Sequence, residues 1–94
     1  MKESFDDNEL TFLNITIAKF ALPRLQEFKY FHKSHPSVLS LDEWFEVIDK
    51  IIKAFQLIIE KEDNVLNIKQ AIQNDNEIQI GLQLFAKHYA DLWG

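Results

Sequence analysis

The sequence predicts an all-α domain, a small bundle of three principal helices. Three observations carry this. Only two Gly and two Pro occur in 94 residues, too few for the many turns of a β-domain. Apolar residues recur at spacings of three and four over long stretches. One of those stretches opens with a complete helix-capping signal. The length fits a single domain over 1–94, and a chain this short buries a limited share of its surface. Its stability needs a dense core, or one shared with a second copy.

Residues 1–9 are acidic and read as a flexible lead. Asp6 followed by Glu9 has the form of a capping box and starts a helix near Asp7. The run Leu13-Asn14-Ile15-Thr16-Ile17 alternates as a strand does. A longer pattern opposes it: Ile17, Phe20, Leu25, Phe28 and Phe31 share one helical stripe, with Leu13 and Ala21 close by. The first helix is therefore read from about Asp7 to Lys33. Pro23 falls inside it. Proline lacks the backbone donor and crowds the carbonyl four residues back, and Leu22 before it is pushed away from helical angles. The helix is expected to kink or split at Leu22–Pro23, with Pro23 opening the second piece.

Ser34-His35-Pro36-Ser37 reads as a loop. Ser40 and Glu43 then form a capping box, and Asp42 and Glu43 oppose the positive end of the helix dipole. From there Leu41, Phe45, Ile48, Ile52, Phe55 and Ile59 repeat at spacings of 4, 3, 4, 3, 4. The second helix runs from about Leu41 to Lys61. Trp44, Ile51 and Ile58 widen its stripe, and Val47 and Ala54 widen it again, beyond what one neighbour needs. Glu46 with Lys50 and Asp49 with Lys53 are acid-before-base pairs along its polar edge.

Lys61-Glu62-Asp63-Asn64 suggests a turn. Val65, Ile68 and Ile72 begin a weaker helical pattern, and Asn74-Asp75-Asn76 is poor in helix formers. Ile78, Leu82, Phe85, Tyr89 and Leu92 resume it up to Trp93. The third region is one long helix from about Asn64, or a short helix followed by another from about Asp75. Gly81 lies mid-helix, where it costs about 1 kcal/mol relative to Ala. A close helix contact is one reason to keep it.

Composition excludes several classes. Without cysteine there are no disulfides and no thiolate metal sites, which fits a reducing cytoplasm. The acidic N-terminus has no signal-peptide character. No apolar run approaches the ~18–20 residues of a membrane span. A net charge of −5 argues against nucleic-acid binding, which needs a basic footprint. Histidines His32 and His35 are spaced i, i+3 but lack a third ligand, so no metal site is expected. His88 reads as a helix-edge residue. No nucleophile elbow, phosphate-cradling loop or acid–base pair is visible, so neither an enzyme nor a cofactor is expected.

Two constellations remain. Residues 19–35 form the only locally basic stretch: a segment opening at Pro23 would set Arg24, with Lys19 nearby, beside unpaired amides that can hold an anion, and copies of the chain would assemble around an anionic ligand such as a nucleotide through Lys19, Arg24, Lys29 and His32. The plainer reading pairs Arg24 with an acid of the second helix. Trp44, Val47, Ile51, Ile58, Tyr89 and Trp93 are either core or the centre of an interface, where Trp and Tyr are enriched.

Three stretches in order carry a resemblance: Ile17-Ala18-Lys19-Phe20-Ala21-Leu22-Pro23-Arg24-Leu25, then Leu41-Asp42-Glu43-Trp44 through Ile48-Asp49-Lys50-Ile51-Ile52-Lys53-Ala54-Phe55, then Gly81-Leu82-Gln83-Leu84-Phe85-Ala86-Lys87-His88-Tyr89 to Leu92-Trp93. Together they resemble small helical proteins encoded by tailed bacteriophages and prophages. The resemblance implies a helical fold and a viral or prophage setting, hence the host cytoplasm, and transfers no catalytic residue. The expected function is non-enzymatic: homo-oligomerisation and binding of a host or phage protein partner. The alternative is binding or sequestering an anionic small molecule.

Overall fold

The computed structural model describes residues 7–31, 36–63 and 68–92. They form four helices, α1 (Asp7–Thr11), α2 (Leu13–Phe31), α3 (Leu41–Asp63) and α4 (Ile68–Lys87), closed by a 3-10 turn over Tyr89–Asp91. No strand occurs among the described residues, and the all-α expectation with three long helices holds.

The α3 helix starts where its capping box places it. The Ser40 amide donates to Glu43 Oε1 at 2.9 Å, and the Glu43 amide donates to Ser40 Oγ at 3.2 Å. Two otherwise orphaned amides are satisfied reciprocally. The bond from the Ser40 amide, and after it the Ser40 hydroxyl beside the carboxyl, hold Glu43 below its ordinary value. Ahead of the cap, the Leu39 amide donates to the Pro36 carbonyl at 3.0 Å and turns the chain into α3.

The break in the first helical region falls at Phe12 and not at Pro23. The Phe12 carbonyl accepts from the amides of Ile15 (3.0 Å) and Thr16 (2.9 Å), so it heads a new helix. The Thr16 hydroxyl donates to the Glu9 carbonyl at 3.0 Å, capturing an acceptor that the end of α1 leaves over. The proposed Asp6–Glu9 box involves a residue outside the described ones. Pro23 is carried inside an unbroken α2. It lies on an exposed side, so the Lys19 carbonyl that loses its usual donor faces water. Next to it, Arg24 Nη1 donates to the Phe20 carbonyl at 2.8 Å. The strand-like alternation at 13–17 is helical throughout.

α3 is the middle of the molecule: α2 and α4 both pack on it and not on each other. The result is a flat layer of 47 × 40 × 19 Å with a radius of gyration of 15.0 Å. A compact chain of this length has a radius of about 12 Å. The core follows the seam of α3. Trp44, Ile48 and Ile51 are its largest fully buried side chains, with Ala54, Phe55 and Leu57 beside them. Ala18 and Leu25 of α2 and the half-buried Leu82 and Phe85 of α4 close on Ile51 and Phe55. The Phe55 and Phe85 rings meet edge to face at 5.4 Å.

α4 is one helix through Asn74-Asp75-Asn76, its start preceded by residues outside the described ones. Local bonds offset the poor propensity there. Gln70 Nε2 donates to Asn74 Oδ1 at 2.9 Å, and Asp75 pairs with Lys61 of α3 at 3.0 Å. Gly81 is where α4 comes closest to α3. A methyl group on it would collide with the Ala54 Cβ and sit 2.6 Å from the Lys50 carbonyl oxygen. The close contact is the reason for glycine here.

Candidate interaction surface

α2 is apolar on two sides. Its core side runs Ile15, Ala18, Leu22, Leu25, at spacings of 3, 4, 3, all buried or half-buried. Its outer side runs Leu13, Ile17, Phe20, at spacings of 4 and 3, with 49%, 51% and 62% exposure. At about 100° per residue the two lines lie roughly 140° apart around the helix. The stripe read from the sequence therefore needs correction. Leu25 is buried and Phe28 and Ala21 are half-buried, but Ile17, Phe20, Leu13 and Phe31 face solvent. Both lines are legitimate helical patterns, and only packing on α3 decides which is inside.

Seven of the eleven large hydrophobics exposed among the described residues fall between Leu10 and Phe31. A small monomer scatters exposed apolar side chains singly; of these seven, Leu13, Ile17 and Phe20 line up on one side of α2 and form the run that marks a contact surface. At the end of the run the Arg24 guanidinium stacks on the Phe20 ring, 3.7 Å from its centroid. The surface thus has an apolar line that ends in a cation. Before it, α1 carries the exposed Asp7 and Glu9.

The cations proposed for an anion site are dispersed. Lys19, Arg24 and Lys29 are each five residues apart, so each points about 140° from the last. Arg24 is held by Phe20 and not by an acid of α3. Lys29 pairs with Asp49 of α3 at 2.8 Å, between the rings of Tyr30 and Phe45, and that bond raises its pKa above 10.5. Asp49 is thereby drawn across to α2, and neither acid-before-base pair on α3 closes into an ion pair. His32 and His35 lie outside the described residues. Among the described residues no group of three potential metal ligands gathers.

The residues proposed as an interface divide similarly. Trp44 and Ile51 are 2% and 0% exposed inside the chain itself, and Val47 and Ile58 are half-buried against the same core. They are core because α3 has a neighbour on each side. Tyr89 is 67% exposed, stacked edge-on against Phe85 at 5.5 Å. Trp93 lies outside the described residues.

Two further features stand apart. A cleft of about 580 Å³ opens between the start of α2 and α4, floored by Ile58 of α3 and walled by Phe12, Ile15, Ile78 and Leu82. The Lys61–Asp75 pair is part of its lining and leaves no unmatched charge there. His88 is the buried polar residue of the core, 7% exposed. Its ring meets Trp44 edge to face at 5.4 Å, and its Nδ1 lies 3.2 Å from Asp91 Oδ2. A carboxylate only accepts, so the bond requires a proton on Nδ1. This corrects the expectation of a helix-edge histidine. The His88 amide keeps the α-helical bond to the Leu84 carbonyl at 2.9 Å, which sets its ring on the same side of α4 as the buried Gly81 seven residues earlier, before the 3-10 turn begins. The i, i+3 spacing of His88 and Asp91 was the available signal.

No helix of the described residues is long and apolar enough to cross a membrane. Comparison with protein-family models, with curated proteins and with solved structures finds no match to this chain.

Proposed function

We propose that this is a non-enzymatic interaction protein that acts by self-association and by binding a protein partner. The observation that carries the reading is the outer face of α2, where Leu13, Ile17 and Phe20 stand in water opposite the side that packs on α3. The flatness of the layer supports it, since a sheet of helices 19 Å thick leaves more apolar surface uncovered than a closed bundle of equal length. A setting in phage or prophage biology, in the cytoplasm of the host, rests on the sequence resemblance alone. The anion-binding reading draws no support from cations that point apart, two of which, Arg24 and Lys29, are already held by Phe20 and Asp49.

Sedimentation equilibrium of the full chain from 1 to 200 µM is the test of self-association. A mass that rises with concentration supports it; one protomer mass throughout refutes it. Capture from host lysate on immobilised protein, repeated with Phe20→Asp, tests the partner. A protein retained by the parent chain and lost in that variant supports binding through α2.

A further inference from the structure

We infer that the cleft between the start of α2 and α4 is a binding site for an uncharged small molecule with an aliphatic body and one polar end, of the class of a medium-chain alcohol or carboxamide. It is a different place from the outer face of α2 and does not depend on self-association.

The cleft follows from the layer. α2 and α4 flank α3 without packing on each other, so the groove between them is floored by α3 itself. Ile58 is that floor, with Phe12 and Ile15 on one wall and Ile78 and Leu82 on the other. The space of about 580 Å³ falls within the range of roughly 300–1,000 Å³ over which clefts hold small ligands. Four of these five apolar side chains are aliphatic. They offer an alkyl chain continuous contact and give a flat ring no pair of aromatic faces to stack between.

The polar lining selects the head group. Lys61 and Asp75 stand 3.0 Å apart and neutralise each other. A ligand carboxylate meets Asp75 along with Lys61, and a ligand ammonium meets Lys61 along with Asp75. Either ion would shed water in a cleft whose charges are already matched. The side-chain amides of Asn14 and Gln79 line the same cleft, and among the described residues neither has a hydrogen-bond partner. Each amide carries both a donor and an acceptor, so the two together can satisfy a hydroxyl or a carboxamide without bringing in charge. An aliphatic body with a neutral polar end matches both parts of the lining.

Three probes with the same chain and different ends test this: 1-octanol, octanoate and octylammonium, each titrated at neutral pH into the full chain while isoleucine and leucine methyl resonances are followed by NMR. Octanol is expected to shift the methyls of Ile15, Ile58, Ile78 and Leu82 together, and to bind at least about tenfold more tightly than either ion. Head-group selection is read separately from chain burial by two exposed substitutions. Asp75→Asn frees Lys61 and should strengthen octanoate about two- to fivefold, Lys61→Gln frees Asp75 and should do the same for octylammonium, and octanol should change little in either. Ile58→Trp fills the floor and should remove octanol binding with helical circular dichroism retained; if that chain fails to fold, the two exposed variants still read the site. No methyl shift up to the solubility limit of octanol overturns the inference. So do shifts centred on Leu13 and Ile17, which place the probe on the outer face of α2, and so does either ion binding the parent chain as tightly as octanol.

Discussion

Replacing Gly81 with alanine tests the most constrained contact in the fold. In an isolated helix the change is favourable by about 1 kcal/mol, because glycine loses more backbone freedom on folding. Here the added methyl collides with Ala54 Cβ and lies 2.6 Å from the Lys50 carbonyl oxygen. Neither atom belongs to a side chain that can swing away; both are fixed to the backbone of α3. Relief requires α4 to move off α3, loosening Phe85 from Phe55. Overpacking of this kind costs about 1–3 kcal/mol, and a fixed partner puts it at the upper end. After subtracting the propensity gain, Gly81→Ala should destabilise by about 1–2 kcal/mol. For a chain this short that lowers the melting temperature by roughly 5–15 °C. Calorimetry and urea unfolding both read it. The double variant with Ala54→Gly removes one of the two collisions, so the pair should show a favourable coupling above about 0.5 kcal/mol. A Gly81→Ala chain that melts at or above the parent temperature would refute the close approach of α4 to α3.

Three other outcomes follow from named contacts. Ser40→Ala removes the hydroxyl arm of the capping box, leaving the arm from the residue-40 amide to Glu43, and should cost about 1 kcal/mol in urea unfolding. The folded-state pKa of Glu43 is lowered, so its contribution is fully present above about pH 4.5 and is lost as pH falls through the lower folded value; the Ser40→Ala chain should lose less stability over that acid range. Trp44→Ala empties a site that is 2% exposed and removes the face on which His88 rests, for an expected loss of about 3–5 kcal/mol by denaturant unfolding. Pro23→Ala restores a donor to the Lys19 carbonyl on the exposed side of α2, and thermal unfolding should show a gain of about 1–3 kcal/mol; a loss would mean that the fit of α2 on α3 depends on the proline.

How far the sequence discloses this structure differs from helix to helix, for physical reasons. α3 is legible because three signals agree: a cap at Ser40, acids in the first turn, and an apolar stripe set against charges. α2 is misread because it is apolar nearly all round. The lines through Ile15 and through Ile17 are equally helical, and aromatic content favours the wrong one: Phe20 and Phe31 draw the eye to the side that packing leaves outside. Pro23 is a strong local signal that tertiary position moderates, since an exposed carbonyl can be solvated. The break at Phe12 depends on a Thr16 hydroxyl reaching the Glu9 carbonyl, a contact that no residue spacing announces. His88 is buried on the edge of the α4 stripe that lies beside Gly81, where the absence of a side chain brings α3 close, and an apolar count passes over it.

The width of the α3 stripe, which by itself argues for a second chain, turns out to be used within one protomer. Ala18 on α2 and Gly81 on α4 are small where each helix meets α3, and α3 buries Ile51 and Ala54 between them. Both flanks of α3 are therefore satisfied internally, and the apolar surplus is displaced to the outside of α2. This separates folding from association. Truncating Ile51, 0% exposed, should lower unfolding free energy by about 2–5 kcal/mol and affect self-association only through loss of folded protein. Charging Ile17, 51% exposed, should abolish self-association with little change in the unfolding of the monomer. The two residues are both isoleucines in adjacent helices, and only their side of the layer distinguishes them. If monomer stability proved as sensitive to Ile17 as to Ile51, the outer face of α2 would be part of the core, and the division of labour between the two faces would fail.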